Sequence, residues 1–94
     1  MPSIGTYLGY KVYFYSNEND PLEPVHVHIG KNMNETAAKV WLLSNGGTRI
    51  EYNYSIPDKT MNRLEKSIKI IHKSICEKWE AYFEQISFID EENN

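Results

Sequence analysis

The chain has 94 residues, 40% of them hydrophobic and 24% charged, which fits one globular domain and excludes both a second core and intrinsic disorder. A formal net charge of −3 argues against strong sequence-independent binding to nucleic acid, which needs several Lys or Arg against phosphates. The single cysteine, Cys76, excludes an internal disulfide framework.

No run approaches the ~20 apolar residues of a membrane span. Met1-Pro2-Ser3-Ile4-Gly5 carries neither the basic start nor the apolar stretch of a secretory leader. A cytoplasmic protein with no membrane association is therefore expected.

The first half of the chain alternates with a period of two. From Gly9 to Tyr15, Val12 and Phe14 fall on one side and Tyr13 and Tyr15 on the other, which predicts a strand. Residues 16–24 are dense in Asn, Asp and Pro and predict a loop. Val25 to Ile29 alternates again, with Val25, Val27 and Ile29 inward and His26 and His28 outward. Residues 30–36 read as a second loop, and Ala37 to Leu43 as a third strand. Asn45-Gly46-Gly47 tolerates positive φ and predicts a tight turn into a fourth strand, Thr48 to Tyr54, antiparallel to the third.

The second half changes period. Met61, Leu64, Ile68, Ile71, Ile75, Trp79, Tyr82 and Ile86 recur at steps of 3 or 4, close to the ~3.6 residues of a helical turn. Pro57 suits the first turn, and either Ser55 or Asp58 is a candidate cap. Thirty unbroken helical residues would run ~45 Å, longer than a domain with a radius of gyration of ~12–13 Å is wide. Ser74-Ile75-Cys76-Glu77 has the form of a capping box, so a break is expected near Lys73-Ser74. The fold class expected is α+β: a four-stranded antiparallel meander with a C-terminal helix, broken or continuous, packed on one face. The domain should span residues 1–88, with 89–94 as a frayed acidic tail, because negative charge opposes the dipole at a helix C-terminus.

Three stretches carry a resemblance. Glu23-Pro24-Val25-His26-Val27-His28-Ile29, Ala38-Lys39-Val40-Trp41-Leu42 and Trp79-Glu80-Ala81-Tyr82-Phe83 resemble, in order, the Pro-x-His-x-His, Ala-Lys-aromatic-Trp-Leu and Trp-x-x-Tyr-Phe motifs of the bacterial "domain of unknown function 4160" family. The opening Met1-Pro2-Ser3-Ile4 is also similar, and the likeness covers roughly residues 1 to 85. Leu22-Glu23 stands where many members carry a further His or Pro. The resemblance implies a small cytoplasmic protein of no agreed chemistry. Some members are encoded beside another small protein and have been suggested to belong to toxin–antitoxin pairs.

His26 and His28 are the first site candidates. Two residues apart on a strand, their side chains leave one face with Cα atoms roughly 6–7 Å apart, close enough for two imidazoles to share a metal. Zinc would need a third ligand and usually a fourth. Asp20 and Glu23 lie upstream, and His72 and Cys76 share a helix face, but the helix is expected on the apolar side of the sheet. The plain reading is a pair of half-exposed sheet histidines, with no bound metal and no cofactor. Cys76 beside Ile75 and Trp79 reads as a buried small hydrophobe.

With the helices on the apolar side, Tyr13, Tyr15, His26, His28, Lys39 and Trp41 should form an outer, polar-aromatic surface. Large rings exposed together usually mark a contact region, unless the two loops fold over them. Stacking of single-stranded RNA on such rings is the nucleic-acid version, disfavoured by the acidic balance. Lys59, Arg63, Lys66, Lys69 and Lys73 lie on the wet side of the helix and read as a solvated face. The function expected is binding of a small protein partner or self-association. The alternative is a metal-dependent or RNA-directed enzyme using His26 and His28.

Overall fold

A computed structural model describes residues 2–16 and 21–91. Its elements are β1 Ser3–Tyr7, β2 Tyr10–Tyr13, β3 His26–Asn32, β4 Glu35–Leu42, β5 Thr48–Asn53, α1 Asp58–Ile70 and α2 His72–Phe83. The strands form one antiparallel sheet in chain order. The α+β meander is as expected, with five strands rather than four. The additional strand is β1, whose Ser3-Ile4-Gly5-Thr6-Tyr7 has no apolar alternation. It pairs Ser3 with Tyr13 and Gly5 with Val12, so Ile4 is an extra residue that breaks the period of two.

Leu8 and Gly9, with φ of 51° and 82°, turn β1 into β2 across the Tyr7–Tyr10 pair. Two central residues with positive φ are the signature of the type I′ hairpin turn, which favours Asn-Gly. Leucine is strained there and half-exposed. Leu8→Asn should therefore stabilise the domain by about 0.5–1 kcal/mol, read as a rise in the urea midpoint at unchanged slope.

The expected loop at 30–36 is mostly strand. β3 and β4 run on to a short turn, with Gly30 opposite Thr36 and Asn32 opposite Glu35. The side chain of Asn32 accepts the Asn34 N–H at 2.8 Å, the local bond that lets Asn make a turn without a glycine.

The inner face of the sheet carries Val12, Val27, Ile29, Val40 and Leu42, with Phe14 and Val25 at its end, all fully buried. Met61, Leu64 and Ile68 from α1 and Ile75 and Trp79 from α2 cover it. Each such aliphatic side chain contributes roughly 1.5–3 kcal/mol by leaving water. Neither Ser55 nor Asp58 caps α1. Pro57 occupies the cap position without a side-chain bond, and the chain is turned instead by Asn53. Its amide donates to the Ile56 carbonyl at 2.8 Å and its carbonyl accepts the Ile56 N–H at 2.9 Å. Asp58 sits in the first turn, where its charge suits the helix dipole.

The helical break falls at Ile71 (φ −102°, ψ 14°) rather than at Lys73-Ser74, and Ser74 is an interior residue of α2 with no capping bond. It is a bend more than a gap: Ile71 N–H still reaches Ser67 O at 3.2 Å, and Ile75 N–H reaches Ile71 O at 3.0 Å. Just past the bend, His72 bonds the Leu43 carbonyl at the end of β4, a tertiary contact that no local capping pattern announces.

α2 stops at Glu84, whose φ of 62° is left-handed, so Ile86 is not helical and Tyr82 is half-exposed. The chain then returns past the sheet. Ser87 O accepts the Val25 N–H at 2.9 Å, and Ser44 donates to Asp90 from its N–H at 3.0 Å and its hydroxyl at 2.7 Å. These bonds hold the Asp90 carboxyl below its ordinary pKa. Asp90 is thus tied down rather than frayed, and residues 92–94 of the expected tail lie outside the described residues. The bend and the return give extents of 37 × 25 × 21 Å.

Candidate functional site

Tyr13, Tyr15, His26, His28, Lys39 and Trp41 do share the outer face, but they do not form an open surface. Tyr13 and His26 are 0% exposed, Trp41 6% and His28 7%, while Tyr15 and Lys39 are half-buried. The expectation of exposed rings is corrected by the way the rings cover one another. His28 lies 4.5 Å from Tyr15 and 5.8 Å from Tyr13 between centroids, and His26 stands edge-on to His28 at 5.0 Å. Antiparallel pairing sets His26 opposite Trp41 and His28 opposite Lys39, and side chains as large as these close over the face they share.

His26 also reaches beyond that face. Its ring lies 5.2 Å from Trp41 and 5.3 Å from Trp79 of α2, so at the start of β3 the two sides of the sheet are not separated. Its Nδ1 is 2.8 Å from the Pro24 carbonyl. A carbonyl oxygen can only accept, so Nδ1 carries the proton in that bond.

The polar ends of the cluster are joined in pairs. The Tyr13 and Tyr15 hydroxyls meet at Thr36 Oγ1, at 2.5 and 2.7 Å. Lys39 Nζ bonds Glu23 Oε1 at 2.9 Å and lies 4.4 Å above the Trp41 ring, while the Trp41 indole N–H donates to Glu51 Oε1 at 2.8 Å. Thr36, Glu51 and Tyr52 are members that sequence reasoning missed. Alternation could not have found Thr36, because counting back by twos from Lys39 gives Ala37 and Glu35, and the register shift between Ala38 and Thr36, two residues of β4 against one of β3, is what brings Thr36 to the same face. Glu51 is the extra residue of a bulge that shifts the β4–β5 register after Lys39 and pairs Lys39 with Tyr52.

Burial pushes the Tyr13 phenol up to about 12, the bond to Thr36 opposing and Tyr15 adding to the rise. A folded pKa above the ordinary value of 10.0 means that the stabilising contribution is complete below about pH 10 and lost as pH climbs toward 12. The unfolding midpoint should fall across that window, and Tyr13→Phe should flatten the fall relative to the parent.

Among the described residues no group of three or more His, Cys, Asp and Glu is placed to hold a metal. Glu23 is engaged by Lys39, Asp20 lies outside the described residues, and His72 and Cys76 form their own pair on α2. There His72 Nε2 bonds the Leu43 carbonyl at 2.8 Å, and Cys76 Sγ lies 3.7 Å from His72 Nδ1. The histidine next to Cys76 does not create a reactive thiolate. Burial, with Glu77 and Glu80 adding to it, raises the thiol from 9.0 to about 11. At pH 8 Cys76 should react with a disulfide reagent about a hundredfold more slowly than free cysteine from thiolate fraction alone, followed by absorbance of the released thiol.

A two-layer α+β domain with a five-stranded meander, a bent helical pair and a closed cluster of sheet rings is the class these observations define. The chain belongs to the family described as Domain of unknown function (DUF4160), whose model matches residues 9–80. The match takes in the whole ring cluster and the helices as far as Glu80. It leaves out β1 and the returning C-terminal segment. No curated protein and no solved structure matches the chain.

Proposed function

We propose that this protein is a cytoplasmic binding module for a second small protein, as one half of a toxin–antitoxin-like pair. The observation that supports this reading is the pair Tyr52 and Tyr54 on the edge strand and just beyond it. Their rings are stacked at 4.6 Å and 16°, and Tyr54 is 77% exposed. Two parallel rings held at the rim of a packed cluster present a rigid amphipathic contact with little side-chain entropy left to lose. The contact region is thus the rim of the ring cluster, where Tyr15, Lys39 and Tyr52 are half-buried, and the buried His26 and His28 support it from beneath. Backbone pairing at the edge is disfavoured by the β5 bulge and by exposed Arg49 and Glu51, so side chains carry the recognition.

Co-expression with the product of the neighbouring gene tests the proposal. The two proteins should elute together from a sizing column, and Tyr52→Ser with Tyr54→Ser should weaken the complex about tenfold or more. Separate elution of the parent protein and its neighbour refutes pairing. Concentration-dependent elution of the chain alone, abolished by the same double variant, identifies a second copy as the partner.

A further inference from the structure

The outward face of α1 has a different chemistry. Lys59, Arg63, Lys66 and Lys69 recur at steps of 4, 3 and 3, which places them along one side of α1, away from buried Met61, Leu64 and Ile68, and Lys73 follows four residues on, in the first turn of α2 past the bend at Ile71. All five are exposed, and among the described residues none of them forms an ion pair with a carboxylate. The two carboxylates of α1 lie off this line. Asp58 is in the first turn, and Glu65 is turned toward β5, where it accepts the Thr48 hydroxyl at 3.0 Å. In a chain whose net charge is −3, five uncompensated cations on one face are a local reversal of sign.

Ile70 stands in the same line, four residues after Lys66 and three before Lys73, and is 84% exposed. An isolated aliphatic side chain ringed by cations contributes nothing to the core. It has instead the layout of a contact patch, with an apolar anchor at the centre and a charged rim. The long stems of the surrounding Lys and Arg widen the apolar area that a partner would cover.

We infer that this helix face docks an acidic protein segment that sets an apolar side chain against Ile70 and carboxylates against the surrounding cations. Charge complementarity selects the sign of the partner, and Ile70 selects a protein over a nucleic acid, since an aliphatic side chain offers no ring for base stacking. Among the described residues the chain's own C-terminal segment is engaged elsewhere, with Asp90 held by Ser44 and Phe88 stacked on His72. The face lies on the helical layer and Tyr52–Tyr54 on the rim of the sheet's other side, so the two surfaces stand or fall separately.

The probe is a fluorescein-labelled helical peptide with glutamates one turn apart and a central leucine, titrated against the full chain by anisotropy. Binding should weaken about tenfold between ~50 and ~200 mM salt and about tenfold in Lys66→Glu with Lys69→Glu. Ile70→Ser should weaken it severalfold while leaving the salt dependence intact, which separates the apolar anchor from the charged rim. Every position changed is exposed, and circular dichroism checks that each variant folds. Absence of peptide binding, indifference to these substitutions, equal binding of a peptide with alanine for the leucine, or tighter binding of a single-stranded RNA would each overturn the inference.

Discussion

Replacing Trp79 by alanine should cost about 3–5 kcal/mol, a large share of the roughly 5–15 kcal/mol that stabilises a domain of this size. Trp79 is fully buried and touches both the sheet and its own helix. Its ring lies 5.0 Å from Phe14 at the end of β2, 4.7 Å from Phe83 on α2 and 5.3 Å from His26 on β3. Removing it leaves a cavity at the end of the sheet and takes away one of the two fully buried side chains, with Ile75, that hold α2. Trp79→Phe should be far milder, about 1–2 kcal/mol. The indole N–H is buried without a hydrogen-bond acceptor among the described residues, so the smaller ring also removes an unsatisfied donor. Urea unfolding of the two variants decides the matter. If alanine and phenylalanine cost the same, Trp79 is not the packing centre described here.

Gly30→Ala should cost about 3 kcal/mol for a different reason. A Cβ at Gly30 would overlap the Glu35 carbonyl oxygen and press on that of Asn32, all of it backbone in the β3–β4 hairpin, so no side-chain rotation relieves it. Gly9→Ala is the contrast. Its φ is +82° and a Cβ there meets nothing within 4 Å, so the cost is the left-handed conformation alone, about 1–2 kcal/mol. The hairpin variant should also disturb the Thr36 bonds to Tyr13 and Tyr15, which begin at the same turn. Loss of stability without a change in the tyrosine near-ultraviolet signal would show that the hairpin and the ring cluster are independent.

Four of the five strands and the helical half were legible because periodicity is a local property. Val12, Val25, Val27 and Ile29 alternate with polar neighbours, and the same residues are buried. β1 was not legible, since its bulge at Ile4 cancels the alternation by which strands are recognised. The helical bend was expected from the length of the segment, yet its position was not, because the capping-box pattern at Ser74 makes no capping bond. The sharing of one face by Tyr13, Tyr15, His26, His28, Lys39 and Trp41 followed from counting by twos. Their burial did not, because alternation says which side a residue takes and not how high its neighbours stand.

The sequence by itself determined which residues share a side wherever a strand or helix runs without a bulge, since side-chain direction repeats every two residues in a strand and every 3.6 in a helix. Only the tertiary structure decided what covers those sides. An unbroken ladder would set Lys39 opposite Glu51, and the bulge sets it opposite Tyr52. The return of Ser87 and Asp90 onto Val25 and Ser44 joins residues more than forty positions apart. Such contacts depend on loop closure and on the fit of whole surfaces, so no short window of residues carries them.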